Sequence, residues 1–193
     1  MKKRQFLSLA AAAGALPAAA RAAVPNAVRG PALLTVTGAI SKPNRGRFDP
    51  VLDQMMHKQK LSFDQAHAFD FAALMALPAI SIKPTLEYDG KARTLRGPAL
   101  LDVVRAAGAP LHDSVSLVMR AVDGYAATVT VAQARAQGYI VATHLDGEAM
   151  ALGGLGPLWA IYDADRVPAM AGKPLAERFG ACPWALYHID VVV

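Results

Sequence analysis

The chain has 193 residues and a formal net charge of +5. Lys2, Lys3, Arg4 and Arg21 carry four of its 20 basic charges, which leaves the rest nearly balanced against 15 acidic residues and excludes the clustered basic face of a nucleic-acid binder. A single cysteine, Cys182, excludes an intrachain disulfide, so stability has to come from packing.

Residues 1–22 predict a cleavable signal peptide. Lys2, Lys3 and Arg4 form the basic start, Phe6 to Ala20 run without a charge, and Ala20-Arg21-Ala22 fits the small-x-small cleavage pattern. The run is too short to span a bilayer as a helix, which takes roughly 20 residues. Lys3-Arg4-Gln5-Phe6-Leu7 also matches a twin-arginine signal with one Arg replaced by Lys, the ordinary secretory route being the alternative. Either route sends residues 23–193 to the periplasm, at the usual size of one domain, ~100–200 residues.

A strand is predicted at Leu33–Thr37, ending at Gly38. Turn residues fill Ser41 to Arg47, and 50–62 hold a short amphipathic pattern of open type. Phe69 to Leu77 reads as a strand end running into a short helix, with Asp70 as N-cap and Pro78 as its stop. Ile80, Ile82 and Leu86 favour a strand at a sheet edge or bulge, because Lys83 and Pro84 interrupt it.

Asp89-Gly90, Asp123-Gly124 and Asp146-Gly147 each lie between β-prone runs, which predicts three consecutive two-residue hairpins. A helix is expected from Pro98 to Ala107, closed by Gly108, with Leu100, Leu101, Val104 and Ala107 as its buried stripe. Further strands are expected at Val115–Ala121, Ala127–Val131, Tyr139–Thr143, Leu158–Tyr162 and Trp184–Val193, with a proline-bearing loop from Asp163 to Pro183. The fold class is α+β, mostly β.

No G-x-S-x-G elbow or H-E-x-x-H motif is present, and the five histidines show no metal-ligand spacing. Met55-Met56-His57 would suit Cu(I), but adjacent methionines on a helix more often pack. Gly153-Gly154-Leu155-Gly156 is followed by a strand, so it is no dinucleotide fingerprint; it is either a plain turn or a place where a ligand approaches the backbone. Tyr88 and Tyr125 flank two Asp-Gly turns, and Trp159 and Tyr162 follow the glycine loop. Aromatic walls with one or two carboxylates suit a flat, polar heterocycle, the alternative being that Trp159 and Trp184 are core.

The ordered series Leu33–Gly38, Phe69-Asp70 with Leu77-Pro78, Leu95-Arg96-Gly97, Ala121–Tyr125, Gly156–Tyr162 and Trp184–Val191 resembles the oxidoreductase molybdopterin-binding domain, the sulfite-oxidase fold. It is most similar to a small exported branch of pterin-binding regulators that lack catalysis. The resemblance implies a single domain of that fold over 23–193. Catalytic members hold molybdenum through a cysteine in the stretch that corresponds to Lys83–Gly97, which has none here. It therefore implies a pterin cradle without molybdenum chemistry, and a membrane-bound cyclic-di-GMP enzyme or sensor kinase as partner. Relatives often carry an Arg where this chain has Gly153-Gly154. On this reading Tyr88, Tyr125, Trp159 and Tyr162 line the pocket, and Glu87 or Asp123 accepts the pterin's N–H groups. The alternatives are a molybdopterin-dependent oxidoreductase, holding metal without cysteine or through Cys182, and an interaction module with a filled pocket.

Overall fold

The structure, a computed structural model, describes residues 30–193; the predicted signal peptide lies outside them. In chain order the elements are β1 (Leu34–Gly38), α1 (Gln54–Lys58), β2 (His67–Phe69), α2 (Phe71–Met75), β3 (Ala79–Ile82), β4 (Leu95–Pro98), α3 (Leu100–Ala106) and β5 (Ser116–Ala121). Then follow β6 (Ala126–Thr130), α4 (Val131–Gln137), β7 (Ile140–Ala142), β8 (His144–Leu145), β9 (Glu148–Ala149), β10 (Trp159–Ile161), α5 (Pro168–Ala171) and β11 (Leu186–Val192).

The two ends of the described chain build the middle of the main sheet. β1 and β11 pair in parallel, Val36 opposite Ile189, within the order β2-β1-β11-β5-β6. Period-two alternation sends Leu34, Val36, Leu117, Met119, Val129, Ile189 and Val191 into one core with Leu100, Val103 and Val104 of α3. Burying each such side chain is worth about 1.5–3 kcal/mol, which is how a chain without disulfides holds together.

A second layer carries the order β3-β4-β8-β9 beside the pair β10-β7. The two are joined where Thr143 N donates to Arg96 O at 2.9 Å. Gly97 makes that join possible, because a Cβ there would lie 1.9 Å from the Val141 carbonyl oxygen.

The predicted strands form, and Asp70 caps α2 by accepting from Ala73 N at 2.7 Å. The hairpins differ from expectation. Only Asp146-Gly147 is a two-residue turn, with both residues at positive φ. Asp123-Gly124 belongs to a three-residue turn closed by Ala121 N to Tyr125 O, and only Gly124 has positive φ. Asp89-Gly90 sits in a wider loop inside the Thr85–Ala92 bridge. Pro98 ends β4 opposite Ala79 instead of starting α3, and Val103 rather than Leu101 is fully buried in that helix. Helix α4 was not expected.

Residues 41–62 fold over the polar face of the main sheet. Arg45 pairs with Asp53 and donates to Thr35 Oγ1, while Gln59 bonds Val122 O and the Tyr187 hydroxyl. Beneath lies a buried polar row. Thr37 Oγ1 gives its single proton to Asp190 Oδ1 at 3.1 Å. His188 Nε2 must therefore donate to Thr37 Oγ1, at 2.9 Å. His188 Nδ1 and Arg120 Nη1 are buried without a hydrogen-bond partner. Burial, with the Arg120 charge added, pushes His188 down to about 4.

Candidate functional site

Three segments converge at one end of the sheets. The loop after β3 brings Glu87 and Tyr88, the β5–β6 turn brings Asp123 and Tyr125, and the approach to β11 brings Phe179, Cys182 and Trp184. They enclose an open cleft of about 300 Å³, which side chains do not fill. Loops clustered on a rigid scaffold are where binding groups usually sit.

Four of the six residues expected from sequence line this cleft: Glu87, Tyr88, Asp123 and Tyr125. Burial and the neighbouring Glu87 carboxylate both raise the Tyr88 phenol, so it stays a neutral donor. Asp123 Oδ1 accepts from Tyr125 N at 2.9 Å, a turn-closing bond that leaves Oδ2 for an incoming donor. The residues that line the cleft include two carboxylates, Glu87 and Asp123, and no lysine or arginine.

Trp159 and Tyr162 lie behind the cleft, not on its wall. Both are almost fully buried, and a buried indole or phenol has to find an acceptor. The 178–182 loop supplies those acceptors. Tyr162 donates to Arg178 O at 2.6 Å, Tyr139 to Ala181 O at 3.2 Å and Trp159 to Cys182 O at 2.9 Å; Tyr125 donates to Gly180 O. The aromatics thus act as pins that set the shape of the cleft. Trp159 backs Tyr88 from within, the two ring centroids 6.4 Å apart.

Phe179, Cys182 and Trp184 also line the wall and lay outside the six residues expected from sequence. Cys182, distant along the chain from Lys83–Gly97, folds against Glu87 and Tyr88. Its Sγ is 3.8 Å from the Tyr139 hydroxyl, and burial pushes the thiol up to about 12, so it is protonated at neutral pH. Trp184 is 37% exposed, against 1% for Trp159. Ala185 adopts a left-handed φ of 46°, which turns Leu186 into the core while leaving Trp184 outside. A tryptophan just before a buried strand carries no signal that separates wall from core.

Beyond Tyr88 and Trp184 opens a second cavity of about 770 Å³, lined by Met55, Val122, Leu152, Leu155 and the Gly153-Gly154 backbone. Met56 is buried whereas Met55 is 42% exposed, so the two adjacent methionines point to different surroundings. Among the described residues no group of three or more His, Cys, Asp or Glu could hold a metal, and no helix is long and apolar enough to cross a membrane.

No family model matches the chain, and no curated protein matches it. Among solved structures it is similar to the sulfane dehydrogenase SoxCD from Paracoccus pantotrophus, with a TM-score of 0.54 and 10% sequence identity. The likeness covers 82% of this chain and 37% of that one, so the chain spans well under half of its neighbour's length. At this identity the likeness shows the fold alone: a mostly-β α+β single domain that resembles part of SoxCD.

Proposed function

We propose that this chain is an exported pterin-binding protein that works without catalysis, reporting ligand to a membrane-bound cyclic-di-GMP enzyme or sensor kinase. The observation that carries the reading is the charge of the cleft: two carboxylates, Glu87 and Asp123, beside aromatic faces and no cation. A pterin offers an amino group and a ring N–H side by side, an edge that a carboxylate accepts with charge-assisted hydrogen bonds. Tyr88 and Trp184 supply flat apolar surface for its ring.

The molybdenum cofactor that the fold type implies does not fit these residues. Its phosphate would meet two carboxylates and no lysine or arginine. The one sulfur on the cleft wall, Cys182, comes from the approach to β11 and not from the Lys83–Gly97 stretch where the catalytic members carry their cysteine. One observation favours the second reading, an oxidoreductase: Cys182 lies on the wall of the same cleft. A third reading, an interaction module with a filled pocket, is disfavoured by the open cleft.

Calorimetric titration with unsubstituted pterin tests the proposal. Saturable binding in the micromolar range or tighter is expected. Glu87→Gln and Asp123→Asn should each weaken it by tenfold or more, since a hydrogen bond to a charged group is worth about 1.5–3 kcal/mol. Absence of binding at micromolar concentrations overturns the reading. Stoichiometric molybdenum in protein taken from its own host would replace it with the oxidoreductase.

A further inference from the structure

We infer that the ligand is a flat, donor-bearing heterocycle that carries an uncharged apolar arm, its head in the carboxylate cleft and its arm in the adjoining 770 Å³ cavity. The inference rests on the pterin reading of the cleft and specifies what that ligand carries.

The two cavities share a wall. Tyr88 and Trp184 line both, so a ring lying on these side chains in the cleft reaches the mouth of the second cavity. The cleft's 300 Å³ suits a bicyclic head, whereas the adjoining space is more than twice as large and falls within the range of small-molecule sites, about 300–1,000 Å³.

The chemistry changes across the shared wall. Glu87 and Asp123 stand on one side. On the other, Met55, Val122, Leu152 and Leu155 contribute hydrocarbon and thioether, and no charged side chain lines the cavity. Leu152 is 70% exposed and Met55 42% exposed, so this apolar surface faces water. Covering it is favourable, and a charged arm would lose its hydration there without gaining a partner. Continuity with the cleft, through the same two aromatic rings, assigns the space to an arm of the cleft's own ligand and not to a separate protein partner.

The test compares three probes by calorimetry: pterin, a pterin with an alkyl or phenyl group at ring position 6, and 6-carboxypterin. The apolar derivative should bind at least tenfold tighter than pterin, about 1.4 kcal/mol, and the carboxylate no tighter. Leu152→Asp combined with Met55→Glu should abolish the gain while pterin itself binds as before. Both positions are exposed, so the melting curve should not change and a folding defect is excluded. If pterin binds but the arm adds nothing, or if the gain survives in the double variant, the arm site is overturned and the head site stands. If no probe binds, both fall.

Discussion

At neutral pH His188 is uncharged, wedged beneath residues 41–62 with Thr37 and Asp190 on one side and Arg120 near the other. The unfolded chain binds a proton there near the ordinary 6.5, the folded chain only near 4. The stability this group contributes is therefore complete above pH 6.5 and is lost as the pH falls toward 4, a loss of up to roughly 3 kcal/mol. Urea midpoints between pH 7 and 4 should show that decline, and it should be smaller in His188→Asn. Single residues differ in how plainly a sequence reveals them. The Asp70 cap was legible because it depends on neighbours three positions away. The placement of Trp159 and Tyr162 was not, because their partners are carbonyls of a loop 16 to 23 positions along the chain.

Among the elements, β4 shows how a local residue type can serve a distant contact. Leu95-Arg96-Gly97 stood out as a motif, but what Gly97 does appears only when Val141 lies against it. Gly97→Ala would drive a methyl group into that carbonyl and should cost about 3 kcal/mol or more, read as a fall in thermal midpoint. Helix α4 was missed although its ends were marked. Thr130 and Gln133 form a capping box, and Gly138 closes the helix at φ 67°. The β-branched run before it drew the reading toward strand, and seven residues are too few for a strong helical period. The Asp-Gly turns illustrate the converse: the dipeptide marks a turn but does not choose between two- and three-residue loops, which strand register decides.

For the molecule as a whole, the order of weak motifs carried the fold further than any one of them, and the sulfane dehydrogenase likeness agrees with it. The cleft was legible in part, through residues near Asp-Gly turns, and the Gly153-Gly154 loop of the apolar cavity stood as either a turn or a ligand approach; that Cys182 and Trp184 join the cleft wall was not legible, because convergence of separate loops leaves no local pattern. The sheet order also places the last strand at the centre, between β1 and β5. Ending the chain after Ala185 removes Leu186, Ile189 and Val191 from the core and leaves β1 and β5 each with one bare edge. The truncated protein should lose its near-ultraviolet dichroism and cooperative melting altogether. The same arrangement bears on the order of folding. Until β11 docks, the β1–β2 and β5–β6 ribbons each keep one bare edge, so the sheet closes only when Thr35 meets His188 from the far end of the described residues, a long-range pairing that slows folding.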